Sequence, residues 1–165
     1  MRILGIDPGT AITGYGVVEA RRDGKLASRL HGAILTPSSW SLSARLQHIA
    51  QELRLLLREE SPDLLSVEQL FFNRNARTAL SVGHARGVVL LTGAEAGIPL
   101  IEFTPAQVKI AVTGNGRATK AQVQSMVQYI LGLSETPKPD DVADALAVSI
   151  CAHHSQGMLS KVARR

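Results

Sequence analysis

Short apolar runs at the start of the chain predict β-strands. The first, RILGID at 2–7, ends at an Asp and is followed by Pro-Gly, a pattern typical of a buried strand that stops at a turn. Two longer runs, at 13–19 and 26–35, flank an Asp-Gly pair, which is a strong signal for a β-hairpin. The chain is therefore predicted to open with three strands joined by tight turns.

The apolar period then lengthens to that of a helix. Leucine and isoleucine recur at helical spacing over 42–56, and the segment 75–96 predicts a second, longer helix. Two further short apolar runs, at 64–68 and 98–103, predict a fourth and a fifth strand. Strands and helices thus alternate through the middle of the chain, as they do around parallel sheets.

Capping residues mark three helices in the rest of the chain. A Thr-Pro pair opens a helix over 105–112, Thr119 opens one to about 131, and Asp140 opens one to about 154. The order βββαβαβ followed by helices predicts an α/β fold with a mixed five-stranded sheet. Three antiparallel strands are followed by parallel strands, and helices cover both faces of the sheet. We interpret residues 1–155 as a single domain and the basic segment 156–165 as a flexible tail.

Composition narrows the class of protein. A chain of 165 residues with 45% hydrophobic side chains is large enough for a core of its own. Its single cysteine excludes a disulfide framework and a cysteine-based zinc site. The N-terminus lacks the pattern of a signal peptide and no apolar run reaches the length of a membrane span, so we expect a cytoplasmic protein without membrane contact. The formal net charge of +4 favours a polyanionic partner.

Four carboxylates stand where local structure alone explains them poorly. Asp7 ends the first predicted strand and Glu68 ends the fourth, and the carboxyl ends of adjacent strands are where open α/β sheets place ligands. Asp141 and Asp144 are three residues apart on a helix, so they share a face. Turn formation or helix capping would account for either strand-end acid taken alone. Helix capping would also account for Asp141. It accounts less well for Asp144, whose small apolar neighbours indicate a helix pressed against the sheet.

These four acids could converge on one site. Carboxylates so close together would repel one another, and some would stay protonated unless cations lay among them. Ligation by oxygen alone suits Mg²⁺ or Mn²⁺ and not zinc. Two such ions about 4 Å apart would clamp a phosphodiester, activating water on one side and stabilising the leaving oxygen on the other.

Basic residues are concentrated beside these acids in the sequence. Neither 69–94 nor 104–134 contains an Asp or Glu. A solvated helix face explains any single Lys or Arg, but the segregation of charge favours a phosphate-binding surface. The side chains we assign to that surface are Arg74, Arg77, Lys109, Arg117 and Lys120.

An aromatic pair follows Glu68 in a chain that has only three Phe residues. Phe71 and Phe72 precede Arg74 in a basic stretch, and an exposed ring at Phe71 could stack on an unpaired base, a contact worth roughly 1–3 kcal/mol. We therefore assign the pair to DNA binding beside the metal site, and packing in the core is an equal alternative for Phe72.

Four motifs resemble those of the RuvC Holliday-junction resolvases in order and spacing. They are GIDPGT, SVEQLFF, GNGRATKAQV and DVADALA, and the resemblance covers about residues 1–155. It implies an RNase H-like nuclease domain, a homodimer, and Mg²⁺-dependent symmetrical nicking of two strands of like polarity in a four-way DNA junction. It also implies the RuvA–RuvB branch-migration complex as a partner. The glycines of 75–96 would allow close approach of a second subunit or would serve packing within one chain.

The resemblance also implies roles for individual side chains. The four carboxylates fall on the family's catalytic and metal-binding positions, although some relatives have His where this chain has Asp141. Lys109 and Lys120 match basic residues near the scissile phosphate, and Phe71 matches an aromatic residue at the crossover. Two Mg²⁺ ions per active site, with Mn²⁺ as a substitute, are the implied cofactors.

Three alternatives differ in class. Actin-like ATPases and kinases also carry D-x-G-T, but they duplicate the domain, whereas this chain has one such motif. A junction-binding protein without catalysis would not need four intact carboxylates. The YqgF-type relatives, linked to RNA processing, share the fold, but the Phe pair and the Lys-bearing segment 109–120 favour the resolvase.

Overall fold

The computed structural model describes residues 1–69 and 76–155, with side chains for 1–69 and 80–155. The predicted tail, 156–165, lies outside the described residues, as do Phe71, Phe72 and Arg74. For Arg77 only the backbone is described.

Strands and helices follow one another in the predicted order. The strands are β1 (Arg2–Asp7), β2 (Ile12–Ala20), β3 (Leu26–Leu35), β4 (Leu64–Glu68) and β5 (Leu100–Phe103). The helices are α1 (Leu42–Glu60), α2 (Ala76–Glu95), α3 (Pro105–Thr113), α4 (Lys120–Leu131) and α5 (Asp140–His154). The fifth strand begins two residues later than predicted, because Pro99 has no N–H to donate to a neighbouring strand. None of the helices in the described ranges is both long and apolar enough to cross a bilayer.

The sheet has the order β3-β2-β1-β4-β5. β2 pairs antiparallel with both β1 and β3, whereas β4 pairs in parallel with both β1 and β5. This arrangement confirms the predicted mixed sheet and makes β1 and β4 adjacent. The C-terminal ends of β1 and β4 therefore meet at one edge of the sheet.

Helices cover both faces of the sheet, as predicted. Alternate residues of β1 face opposite sides, so Leu4 and Ile6 pack in the core formed with α1 and α2, while Ile3 packs in the core formed with α3, α4 and α5. All three side chains are fully buried. Burial of each contributes about 1.5–3 kcal/mol to folding.

Glycines allow α5 to lie directly on the sheet. A Cβ at Gly5 of β1 would overlap the carbonyl of Ala145, and a Cβ at Gly14 of β2 would overlap the carbonyl of Asp141. Helix and strand backbones are therefore in contact where a larger residue would hold them apart.

Two polar side chains of α5 fasten the helix to β2. Ser149 Oγ donates to the carbonyl of Gly16 at 2.8 Å, and His153 Nε2 donates to the carbonyl of Val18 at 2.9 Å. Burial lowers the pKa of His153, which favours the neutral ring. These bonds fix the position of α5 along β2 as well as its distance from the sheet.

The first prediction concerns the contact at Gly14. Gly14→Ala should lower the free energy of unfolding by about 3 kcal/mol, the upper end for overpacking, because the new methyl meets helix backbone that cannot rotate away. Urea unfolding followed by circular dichroism measures the loss. Gly24→Ala is the control, since its Cβ meets nothing within 4 Å and only its φ of 81° costs energy, about 1 kcal/mol. Equal urea midpoints for Gly14→Ala and wild type would contradict the close packing of α5.

Candidate active site

Strand pairing brings the two strand-end acids together. β1 pairs with β4 in parallel as far as Ile6 and Val67, so Asp7 and Glu68 end neighbouring strands one residue further on. Gly5 faces α5, and residues two apart on a strand share a face, so Asp7 also faces α5. Val67 packs on the opposite side, which turns Glu68 toward α5 as well.

The first turns of α5 bring the other two acids to the same place. Gly14, which touches the backbone of Asp141, is the cross-strand partner of Asp7. The charges of Asp144, Asp141 and Glu68 all act on Asp7. The four carboxylates predicted from the sequence are therefore brought together at one edge of the sheet.

Burial and like charge raise the pKa values in this cluster. Burial, followed by the charges of Asp144, Asp141 and Glu68, raises the pKa of Asp7 to about 7, while Lys120 acts in the opposite direction. Burial first and Asp144 second raise the pKa of Glu68. Burial is also the main cause that raises the pKa of Asp144. The site thus combines the burial of several acids with their mutual repulsion, and Lys120 only partly offsets these effects at Asp7.

Lys120 is in direct contact with the acids at the start of α5. Its Nζ lies 3.0 Å from Oδ2 of Asp144 and 3.3 Å from Oδ2 of Asp140. Partial burial works to lower the pKa of Lys120, but hydrogen bonds and charges from both aspartates outweigh it and the pKa rises. Thr119 caps α4 with a capping box, which fixes the first residue of the helix at this position.

A cleft of about 240 Å³ opens beside the carboxylates. Charged groups of Glu68, Asp144, Lys109 and Lys120 line it together with small apolar side chains such as Ala147. The charge of Lys109 acts on Glu68 and offsets part of the rise in the pKa of Glu68 that burial and Asp144 cause. The cleft therefore presents two ammonium groups next to the acids, as a phosphate group would require.

Two basic side chains in the described part of the chain, Arg117 and Arg86, are not among those that line this cleft. Arg117 is exposed in the loop between α3 and α4, where its N–H donates to Asn115 Oδ1 at 2.9 Å. Arg86, in the acid-free segment 69–94, is paired with Glu102 of β5 and contributes little free positive charge. A larger cavity, of about 460 Å³, lies at the opposite edge of the sheet and contains none of the predicted site residues.

Hydroxyl groups hold the turn that follows Asp7. Thr10 is buried, and its Oγ1 lies 2.5 Å from Oγ of Ser81 on α2. The hydroxyl of Thr36, just after β3, donates to the carbonyl of Thr10. Thr13 Oγ1 donates to the carbonyl of Gly9 within the turn at 2.7 Å. Asp7 is therefore positioned by α2 and by the end of β3 as well as by its own strand.

Sequence reasoning did not assign a role to Asp140 beyond helix capping. In the structure Asp140 shares Lys120 with Asp144, and hydrogen bonds from Lys120 and Gln124 lower the pKa of Asp140. The pairing joins α4 to α5 across the cleft, so no spacing within one helix could have indicated it.

The chemistry of the donor atoms fits a hard divalent cation. All four side chains offer carboxylate oxygen, which suits Mg²⁺ or Mn²⁺, and their mutual repulsion would be relieved by positive charge. Within residues 1–69 and 80–155, no three His, Cys, Asp or Glu side chains form a ready-made ligand group. The ammonium of Lys120 already contacts Asp144, so a cation would have to replace it there.

Known proteins with similar sequences identify the family of this chain. The family model for crossover junction endodeoxyribonuclease RuvC matches residues 3–153. The RuvC of Syntrophomonas wolfei is 52% identical over 160 residues, which cover 97% of this chain and 92% of that protein. The chain belongs to the RuvC family. Membership implies an endodeoxyribonuclease that depends on a divalent metal ion, and it decides against the ATPase and YqgF-type alternatives.

Solved structures of the family have the same fold. A Thermus thermophilus RuvC structure matches with a TM-score of 0.88 and 36% identity over 96% of each chain. T. thermophilus RuvC in complex with a Holliday junction substrate matches with a TM-score of 0.86 and 34% identity, again over 96% of each chain. Both likenesses support the mixed five-stranded sheet and its order of strands.

The second prediction concerns the raised pKa of Asp7. The pKa of Asp7 is about 7 in the folded protein and 3.8 as the ordinary value. The protonated carboxyl therefore contributes its whole stabilisation below pH 3.8, and this contribution to the free energy of unfolding is lost as pH rises through 7. Asp7→Asn removes this titration. With a chelator present, the variant should gain stability relative to wild type between about pH 4 and pH 7, by at most about 4 kcal/mol.

Urea unfolding between about pH 4 and pH 8 measures the difference. Asp140→Asn is the matched control, because Lys120 lowers the pKa of Asp140 and the neutral variant should lose stability at neutral pH. A constant difference between Asp7→Asn and wild type across this range would contradict the raised pKa.

Proposed function

We propose that this protein resolves four-way DNA junctions by paired nicks in two strands of like polarity. The observation that carries the proposal is the convergence of four carboxylates beside two lysines at one sheet edge, in a member of the RuvC family. The T. thermophilus relative in complex with a Holliday junction substrate supports the choice of DNA. A DNA substrate also favours a cytoplasmic location.

We assign the metal site to Asp7, Glu68, Asp141 and Asp144, with two Mg²⁺ ions as cofactors and Mn²⁺ as a substitute. Divalent ions bound there supply Lewis-acid stabilisation of a phosphodiester and lower the pKa of water. A pKa of about 7 for Asp7 means that this ligand still carries a proton in part of the molecules near neutral pH. Metal affinity should therefore rise with pH as Asp7 loses that proton.

We assign Lys109 and Lys120 to the scissile phosphate. Both line the cleft with Glu68 and Asp144, so their ammonium groups are placed to neutralise charge that grows on the phosphate oxygens during cleavage. Because Lys120 is paired with Asp144 in this structure, its move to a phosphate would also free that carboxylate for a cation.

The other predicted DNA contacts flank this site in sequence. Arg74, Arg77 and Arg117 would neutralise phosphates further along the strands. Phe71, three residues past Glu68, would stack on an unpaired base at the crossover, with Phe72 beside it or in the core. Such a ring would favour strained junctions over linear duplex.

A homodimer would match the two-fold symmetry of the substrate. The exposed face of α2 carries Leu80, Gly87, Leu91 and Ala94, and the two leucines are 63% and 56% exposed. Apart from the neighbouring residues and backbone of its own helix, no described atom of this chain lies within 4 Å of a Cβ built at Gly87, so another backbone could approach closely there. A second copy of α2 is the occupant we propose, and it would place one active site on each of two opposed strands. Family membership extends the proposal to the RuvA–RuvB complex as a partner.

The third prediction tests the carboxylates. Glu68→Gln and Asp144→Asn should each fold and bind a synthetic four-way junction but cut it at least about 100-fold more slowly, because each loses a charged oxygen ligand. Single-turnover cleavage with Mg²⁺ or Mn²⁺, and with linear duplex as competitor, measures the effect. Glu52→Gln, on the exposed face of α1, is the control and should cut normally. Normal rates for both site variants would rule out the metal site.

The fourth prediction tests the dimer. Leu91→Glu should convert a dimer into monomers in sedimentation experiments, because it places a charge in the proposed α2 contact. Its melting temperature in dilute solution should match that of the wild-type monomer, since Leu91 is exposed within one chain. Tyr129→Glu, at a residue that is 80% exposed on α4, should stay dimeric. A dimeric Leu91→Glu variant or a monomeric wild type would contradict the assignment.

A further inference from the structure

Trp40, the only tryptophan of the chain, lies on the surface just before α1. Its exposed fraction is 42%, and two other large apolar residues close to it in sequence, Leu35 and Leu42, are 60% and 44% exposed. Every residue of the segment 37–43 is exposed. Apolar side chains concentrated on a surface in this way are typical of an interaction site.

This segment belongs to the same edge of the sheet as the catalytic carboxylates. Asp7 pairs with Gly14, and Gly14 pairs with Ala33 of β3, so Ala33 lies two strand spacings from Asp7, about 10 Å. Thr36, three residues later, donates its N–H to the carbonyl of Ala11 in the turn after Asp7 at 3.0 Å. The chain thus leaves β3 alongside the active-site turn.

A tight turn keeps Trp40 near that point. The N–H of Trp40 donates to the carbonyl of Pro37 at 3.2 Å. A turn closed in this way holds its end residues within about 7 Å, so Trp40 lies within roughly 11 Å of Thr36. With about 11 Å for the three residues from Ala33 to Thr36, the distance from Asp7 to Trp40 is at most about 32 Å, which is within one turn of duplex DNA.

Trp40 forms one end of an open groove along α1. The groove has a volume of about 410 Å³, and the Trp40 ring meets the His48 ring edge to face with centroids 5.5 Å apart. The side chains that line it, which we call the Trp40 groove, are Trp40, Ser41, Ala44, Gln47, His48 and Gln51. An aromatic ring beside amide and hydroxyl groups combines a stacking surface with the donors that contact sugar and phosphate.

The charge around the groove suits a polyanion. Residues 24–51 contain no Asp or Glu, and the first turn of α1 contains no acid. Arg45 adds a positive charge, and its Nε donates to the carbonyl of Pro37 at 3.0 Å, which holds the guanidinium beside Trp40. A surface of this composition complements nucleic acid better than a basic protein segment.

We propose that the Trp40 groove binds the DNA arm that leads away from the cleavage site. Trp40 stacks on an exposed base or sugar of that arm, while Gln47 and Gln51 donate hydrogen bonds to its backbone. The inference rests on the proposed junction cleavage and extends the DNA contact beyond the carboxylates by up to about one helical turn.

Intrinsic fluorescence tests the contact directly, because all tryptophan signal comes from residue 40. Titration of the full chain with a four-way junction, in chelator to prevent cutting, should change the fluorescence in step with binding measured by gel shift. Trp40→Ala should raise the Kd at least about 5-fold, the low end of the range for a lost stacking contact. Trp40→Phe, which keeps a ring, should stay within about 3-fold of wild type.

Two further variants keep the test decisive. Tyr129→Ala removes an exposed aromatic residue from the far end of α4 and should leave the Kd unchanged. If Trp40→Ala melts far below wild type, the double variant Gln47→Ala, Gln51→Ala, which retains the indole, must weaken binding at least about 3-fold. Constant fluorescence at saturating junction, with an unchanged Kd for the Trp40 and glutamine variants, overturns the groove but leaves junction cleavage standing. A wild type that neither binds nor cuts the junction overturns the proposed function itself.

Discussion

The backbone contact between α5 and the first two strands is the constraint on which the site depends. Glycine at positions 5 and 14 removes the side chains that would separate helix from sheet. Asp141 and Asp144 consequently stand over the end of β1 instead of one side-chain layer away from it. The burial of Asp7, its proximity to three other acids and the reach of Lys120 all follow from this approach.

The site is held together against electrostatic repulsion by packing elsewhere. Each of the two cores buries large aliphatic side chains, and their burial outweighs the cost of holding acids together. Lys120 compensates part of the negative charge from the rim, although it shares its ammonium group between Asp144 and Asp140. Burial and the charges of the neighbouring acids still raise the pKa of Asp7. A protein that carries such a cost at one sheet edge is suited to a cationic cofactor.

Local pattern predicted most of the fold and the four acids, for identifiable reasons. The sequence shows two strands that end on acids, Asp7 and Glu68, and one helix with two acids on the same face, Asp141 and Asp144. These features can be predicted because the side-chain periods of strands and helices are fixed. The pairing of Lys120 with Asp140 was not visible, since it depends on how two helices meet. Trp40 was missed for a related reason. A single aromatic residue among serines has no period, and only the turn at Pro37 and the order of strands bring it to the active edge.

The hydrogen bond between Thr10 and Ser81 has a consequence for how this enzyme can change over evolution. It joins the turn behind Asp7 to the helix whose outer face we assign to the second subunit. A substitution that shifts α2 would therefore also shift the turn behind Asp7, so a change selected for its effect on the proposed subunit contact would act on the carboxylate site as well. The two positions would have to evolve together, although Thr10 and Ser81 lie 71 residues apart in the sequence.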